Sequence, residues 1–156
     1  MSGDNTEMIA RLTQISTQMH ATSDIASIMR LAVTSSMQLV HVSEGASGLL
    51  MEKSFAFAEC FDGQQWIPMQ RNFDDVGLFN RLLEEKNPQI ITSDTQVESE
   101  QMLALPVLND DGMLLACLIL FQPEHGVFSE QDIFLLMQVA AIMASAIENS
   151  IRHADS

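Results

Sequence analysis

The sequence is poor in basic residues and in cysteine, and each shortage excludes a class of protein. Lys and Arg total 7 against 21 Asp and Glu, which gives a formal net charge of −14. Nucleic-acid binding and adsorption to anionic membranes both depend on clustered positive charge, so we expect neither. The two cysteines, Cys60 and Cys117, lie in apolar runs and are too few for the disulfide framework of a small secreted domain. A cytoplasmic location is therefore the simplest expectation.

Long apolar runs are also missing. The longest, Met113–Phe121, has the length of a strand rather than of a membrane span. The polar and acidic segment Met1–Glu7 does not resemble a signal peptide. The sequence has neither a glycine-rich phosphate loop nor a traceable Ser-His-Asp arrangement. With 156 residues, of which 47% are hydrophobic, the chain is long enough to bury the core of one domain.

Helical periodicity is concentrated at the two ends of the chain. A heptad seam predicts a helix over Asn5–His20, and the capping residues Thr22–Asp24 predict a second helix that runs to about His41. A last helix begins at the cap Ser129 and carries two apolar rows, although a helix on a monomer surface needs only one. The heptad seam of the first helix and one apolar row of the last helix predict contact with a second protomer. Packing inside the chain is the alternative for both. The predicted dimer-interface residues are Met8, Leu12, Ile15, Met19, Met137, Ala140, Ala144, Ile147 and Ile151.

Between these helices the pattern alternates, which predicts strands. The predicted strands are Ala46–Met51, Ser54–Phe61, Gln64–Gln70, Ile90–Thr92, Met102–Leu108 and Met113–Phe121, with a helix inserted at Phe73–Lys86. Gly45 and Gly48 mark either a β-bulge or a close backbone approach, and Asp62-Gly63 and Asn109–Gly112 predict hairpin turns. We therefore expect an α+β fold with a central antiparallel sheet of about six strands. Its terminal helices should pack on one face, and the inserted helix and its connection should cover the other.

Several of these segments resemble parts of a GAF domain. Leu105–Val107 followed by Asp111-Gly112 and Ala116–Leu120 is similar to the family's central hairpin, with Ala116 at the usual glycine position. Phe128–Asp132 and Ala146–Ser150 resemble the start and the end of its closing helix. Gly77–Asn87 followed by Pro88–Asp94 resembles a further stretch of the family, and the whole resemblance spans roughly residues 25–151.

The resemblance implies a six-stranded antiparallel sheet, a ligand pocket between the sheet and its variable connections, and dimers formed by terminal helices. It also implies a small-molecule sensor that is part of, or partner to, a signalling protein with a kinase, cyclase, phosphodiesterase or transcription-factor output. On this basis residues 1–22 form a dimerisation or linker helix, residues 23–152 the sensor domain and residues 153–156 a tail. A ligand-free dimerisation module and a free methionine sulfoxide reductase are the alternatives. The ligand and any cofactor stay unknown.

Known site motifs of the family are not found in this sequence. It lacks the signature of cyclic-nucleotide-binding members, the inserted segment 73–101 has no cysteine for a bilin, and Cys60 and Cys117 fall in predicted strands rather than on pocket connections. The four histidines lie at or beyond the ends of predicted elements, without metal-ligand spacing. We therefore expect no enzyme, no catalytic residue and no metal site.

Glu59 is the most informative polar residue, because it falls in a predicted row with Phe55, Phe57 and Phe61. A buried carboxylate is costly unless it is paired, so Glu59 is either a solvated strand end or a polar anchor in a pocket. Arginines beside the inserted helix could receive an anionic group, and neighbouring apolar residues could form a wall. Surface exposure and core packing are the alternatives. The predicted ligand-binding residues are Phe57, Glu59, Met69, Arg71, Phe73, Phe79 and Arg81.

Overall fold

The computed structural model describes residues 2–52, 54–57, 59–69, 77–93, 100–123 and 127–154. Within these ranges the helices are α1 (Ser2–His20), α2 (Ile25–Leu39), α3 (Leu78–Glu85) and α4 (Glu130–Ala154). The strands are β1 (Val42–Leu50), β2 (Phe55–Ala56), β3 (Glu59–Phe61), β4 (Trp66–Pro68), β5 (Gln89–Ser93), β6 (Glu100–Leu108) and β7 (Leu114–Pro123). The predicted order of elements is confirmed, except that the predicted strand Ser54–Phe61 is divided into β2 and β3.

One antiparallel sheet contains all of these strands, in the order β4-β3-β1-β7-β6-β5, with β2 paired to β1. Strand β7 lies between β1 and β6, so it is covered on both faces, as its continuous apolar sequence predicts. Its residues alternate between two separate cores: Leu118 and Leu120 join one, and Cys117 and Ile119 join the other. The sheet is thus the middle layer of an α+β sandwich.

The larger core lies on the face that we call the helix face, where α2 and α4 pack on the sheet and α1 packs on α4. Ile28 and Val33 of α2 and Met143 of α4 are completely buried there. Burial of each such side chain stabilises the fold by about 1.5–3 kcal/mol. Helix α2 approaches β1 closely at Gly45, where a Cβ atom would lie 2.9 Å from Cγ1 of Val33. The predicted role of this glycine is therefore confirmed.

Both apolar rows of α4 have neighbours inside the same chain. Ala140, Ala144 and Ile147 are buried in the helix-face core, together with Ile15 and Met19 of α1. These residues belong to the predicted dimer interface, and in the structure the chain itself covers them. Of the other predicted interface residues, three are partly buried and one is exposed; they are Met8, Leu12, Met137 and Ile151.

Helix α4 is also long and apolar enough, between Glu130 and Arg152, to cross a bilayer by length and composition alone. Half of its most apolar stretch is buried in the fold. A core helix of a globular domain meets the same criterion, and α4 packs on β6, β7, α1 and α2. Its apolar character is therefore explained by these contacts.

The start of α2 is fixed by Asp24, as the capping sequence predicts. The Asp24 carboxylate accepts a hydrogen bond from the backbone N–H of Ser27 at 2.9 Å, which satisfies one of the free donors of the first turn. Hydrogen bonds from the side chain and then the backbone of Ser27 lower the pKa of Asp24 below its ordinary value of 3.8. The ionised carboxylate therefore stabilises the folded state.

Replacing Asp24 with alanine should lower the melting temperature at neutral pH, and the difference from the wild type should become smaller in acid. Because the folded-state pKa is lowered, the stabilisation is fully present above the unfolded value of 3.8 and is lost as the pH falls through the folded value. Circular-dichroism melts from neutral pH into acid measure this. Asp24→Asn is the control, since it keeps an acceptor oxygen without the charge. A wild-type advantage over Asp24→Ala that persists unchanged in strong acid would contradict the assignment.

Candidate functional site

A change of register between β2 and β3 decides which residues can form a site. Ala56 of β2 lies opposite Leu49 of β1, whereas Cys60 of β3 lies opposite Ala46. The pairing has shifted by one residue between these two positions. Since a shift of one residue turns every following side chain to the other face, Glu59 leaves the face of Phe57. The predicted row of three phenylalanines with Glu59 is therefore wrong.

Phe55 and Phe57 face the side of the sheet that α3 covers. There they join an apolar group that we call the α3-side cluster, whose members include Cys60, Leu78, Leu82, Cys117, Ile119 and Phe121, with Ile67 and Met69 at its margin. The ring of Phe55 lies 6.1 Å from that of Phe57 and 5.7 Å from that of Phe79 on α3. The structure thus brings together three of the predicted ligand-binding residues, Phe57, Met69 and Phe79.

The Phe57 ring lies directly over Gly48 of β1. A Cβ atom at Gly48 would be 2.8 Å from Cε1 of Phe57, so only glycine leaves room for the ring in this position. The predicted close approach at Gly48 is confirmed, and its cause is an aromatic side chain rather than a neighbouring helix. This contact places Phe57 against the sheet, in the α3-side cluster.

Of the two arginines that we predicted as anion receptors, the described part of the chain contains one. Arg81 is exposed on α3. Arg71 and Phe73 lie outside the described residues. The named members of the α3-side cluster are apolar, and the carboxylate of Glu44 lies beside one of them, Cys60.

Glu59 lies on the helix face and is paired. Its two carboxylate oxygens accept hydrogen bonds from Nε and Nη2 of Arg30, at 2.5 and 2.6 Å. The hydrogen bond to Glu59 raises the pKa of Arg30, which stays charged. Cζ of Arg30 also lies 4.8 Å from the centre of the Trp66 ring, which in turn lies 5.0 Å from the Phe61 ring. The guanidinium is therefore held between the Glu59 carboxylate and the face of an aromatic ring.

Together these residues border a depression that we call the helix-face groove. It has a volume of about 290 Å³ between the first half of α2 and strands β1 to β4. Its lining residues are Ile25, Ala26, Met29, Arg30, Ser47, Leu49, Ala56, Glu59 and Trp66. Sequence reasoning missed Arg30 and Trp66. The only signal was that Trp66 is the single tryptophan of the chain.

The two cysteines are buried in the α3-side cluster and form no disulfide. Burial raises the pKa of the Cys117 thiol well above its ordinary value of 9.0. The Cys60 thiol donates toward the Glu44 carboxylate at 3.7 Å. A thiol that is neutral and inaccessible is a poor nucleophile, so the structural interpretation of Cys117 is the stronger one. Within the described residues, no three His, Cys, Asp or Glu side chains are grouped as metal ligands would be.

Comparison with known families matches this sequence, over residues 6–148, to the model described as a GAF domain. The chain belongs to the GAF domain family. GAF domains are known for sensing and regulation in signalling proteins, and the predicted membership and fold class are confirmed. No protein of curated function matches the sequence.

Solved GAF structures align over nearly the whole chain at low identity. The GAF domain of a phosphoenolpyruvate-protein phosphotransferase from Coxiella burnetii is 15% identical, with 96% of this chain and 97% of that chain covered and a TM-score of 0.70. That of a putative sensor histidine kinase from Pseudomonas syringae pv. tomato is 13% identical, with 99% and 94% covered and a TM-score of 0.68. Free methionine-R-sulfoxide reductase from Neisseria meningitidis is 17% identical, with 91% and 89% covered and a TM-score of 0.66. At such identities these likenesses show the fold alone.

Proposed function

We propose that this GAF domain senses a small molecule beneath α3 and transmits its binding to a signalling protein, without catalysing a reaction. The observation that carries the proposal is the α3-side cluster. The helix face is covered by α2 and α4, whereas on this face, among the described residues, one helix of 8 residues lies over the sheet. Phe55, Phe57, Met69 and Phe79 are only partly buried there. Partly buried aromatic and methionine side chains are typical of the walls of ligand sites.

The proposal of a non-catalytic role is supported by the chemistry of the interior. Cys117 is completely buried and its thiol pKa is raised, which disfavours the thiolate that a sulfoxide reductase would need. The GAF family includes such a reductase, so family membership does not decide this question. The proposal of a non-catalytic role therefore rests on the burial of both cysteines and on the raised pKa of Cys117.

We also propose that the chain forms a cytoplasmic homodimer through its terminal helices and regulates an output such as a kinase, cyclase, phosphodiesterase or transcription factor. The GAF domains of a putative sensor histidine kinase and of a phosphotransferase share its fold. Helices α1 and α4 keep large apolar side chains exposed beside the buried rows; Ile9 is 64% and Phe134 is 62% exposed. Ligand binding would change the output only if the ligand binds two states of the domain differently.

Native mass spectrometry of the purified protein tests the proposal. We expect a dimer that carries an additional mass, which is lost on denaturation. Phe79→Ala should abolish the additional mass, because the Phe79 ring of α3 packs edge-to-face against that of Phe55. Leu83→Ala, at an exposed position on the same helix, is the matched control and should retain it. A dimer without additional mass would favour the ligand-free interaction module, and a monomer would contradict dimerisation.

A further inference from the structure

We propose that the helix-face groove is a second binding site and that it binds a free α-amino acid with an apolar side chain. The groove lies between α2 and strands β1 to β4, on the face of the sheet opposite the α3-side cluster. This site goes beyond the proposed function, because it does not depend on a ligand beneath α3.

The polar part of the groove is a cation and an anion held side by side. Glu59 occupies one edge of the Arg30 guanidinium, the edge formed by Nε and Nη2. A guanidinium has five N–H donors and a carboxylate has about four acceptor positions, so each partner keeps unused capacity. Solvent reaches these positions, since the side chains of Arg30 and Glu59 are 51% and 31% exposed. A ligand with a carboxylate and an ammonium group on one carbon atom can use both.

The guanidinium is held in position before any ligand arrives. Glu59 fixes it in the plane of two hydrogen bonds, and Trp66 lies under it at 4.8 Å. Trp66 is itself held by Phe61, with 5.0 Å between the two rings. An immobilised side chain loses less conformational entropy on binding, so a given set of contacts yields a higher affinity.

The rest of the groove suits a short apolar side chain. Ile25, Ala26 and Met29 of α2 form one wall, and Leu49 and Ala56 of the sheet form the other. Its volume of about 290 Å³ is at the lower end of the range of roughly 300–1,000 Å³ that ligand pockets occupy. This volume matches a molecule as small as leucine or methionine rather than a nucleotide or a chromophore.

The charge of the chain favours a ligand without net charge. At a net charge of −14 the domain repels anions at long range, and the Arg30 cation in the groove is already paired with the Glu59 carboxylate. A simple cation would have to bind beside the Arg30 guanidinium. A zwitterion avoids both penalties, because each of its charges meets an opposite charge.

Intrinsic fluorescence gives a direct measurement, because Trp66 lines the groove and the chain has one tryptophan and no tyrosine. We expect L-leucine or L-methionine to change the Trp66 emission in a saturable way. L-leucinamide and N-acetyl-L-leucine each lack one charge, so each should bind about tenfold more weakly or worse. The absence of a saturable change with either amino acid at millimolar concentration would overturn the proposal.

Variants of the groove separate this site from binding elsewhere. Calorimetry is the readout here, since loss of Arg30 changes the surroundings of Trp66 directly. Arg30→Met and Glu59→Gln should each lower the affinity for L-leucine by about tenfold or more. Ala26→Leu should abolish binding by filling the groove, while it keeps the ion pair and a strong helix former on α2.

The matched control is Arg11→Met, which removes the exposed Arg11–Glu7 pair of α1, where the two side chains are 3.2 Å apart. It should bind L-leucine as the wild type does. Circular dichroism establishes that each variant is folded. If folded Ala26→Leu and Arg30→Met bind with wild-type affinity, the amino acid binds elsewhere and the proposal is overturned. Neither result depends on whether native mass spectrometry detects a ligand beneath α3. The two proposed sites can therefore be contradicted independently.

Discussion

Replacement of Ile147 with glutamate is expected to unfold the domain. Ile147 is 1% exposed on α4, in the helix-face core that also contains Met19 of α1 and Val33 of α2. Removal of a large aliphatic side chain from such a site costs about 2–5 kcal/mol, and an unpaired carboxyl group adds its own desolvation cost. The total is comparable to the about 5–15 kcal/mol that stabilises a typical domain. Chemical denaturation followed by circular dichroism measures the loss.

Ile151→Glu is the matched control, one turn further along the same predicted row. Ile151 is 45% exposed, so we expect its replacement to change the free energy of unfolding by no more than about 0.5 kcal/mol. The comparison also tests the sequence-based interpretation of this row as a dimer surface. If Ile147→Glu remained folded with an unchanged melting temperature and lost only its dimer, Ile147 would lie at an interface between protomers instead of in the core.

Substitution of Gly45 with alanine is expected to destabilise the domain by about 1–3 kcal/mol, the usual cost of overpacking. The new Cβ would lie 2.9 Å from Cγ1 of Val33 and 3.0 Å from Cδ2 of Leu120. Val33 is β-branched and stands on a helix, so its side chain cannot rotate away easily. Helix α2 would therefore have to move away from the sheet.

A double-mutant cycle with Val33→Ala isolates this contact. Val33→Ala removes the Cγ1 atom that the new Cβ would meet, so Gly45→Ala should cost less in that background than in the wild type. Equilibrium denaturation of the four proteins of the cycle gives the coupling energy. Strict additivity of the two substitutions would mean that α2 does not rest on β1 at this point.

Where the structure depends on local chemistry, the sequence predicted it well. The Ser129 hydroxyl accepts from the Asp132 N–H at 3.0 Å and the Asp132 carboxylate accepts from the Ser129 N–H at 3.2 Å, so the predicted cap of α4 is confirmed. The predicted hairpin turns have Gly63 at φ +99° and Gly112 at φ +78°. Residues other than glycine rarely adopt such angles. These features depend on residues within four positions of one another, so a short stretch of sequence contains the whole cause.

The candidate sites were less predictable, because they depend on register and on which neighbour an apolar row meets. Three residues of the predicted site, Phe57, Met69 and Phe79, lie in or beside the α3-side cluster. The sequence placed Glu59 on the wrong face, because the one-residue shift between β2 and β3 has no signature in the alternation of residues 54–61. Arg30 and Glu59 are 29 positions apart, and only the packing of α2 on the sheet brings them together.

The sequence by itself determined the class of this protein: the order of its elements, its two cores on either side of β7, its turns and caps, and its membership of the GAF family. These follow from periodicity, capping and turn chemistry, which act over a few residues. Only the tertiary structure decided that the chain itself covers part of the rows of α1 and α4, including Met19 and Ile147, and that Arg30, Glu59 and Trp66 border a groove. An apolar row of side chains predicts that these side chains are buried, because burial removes apolar surface from water. Which surface covers the row depends on how distant elements pack.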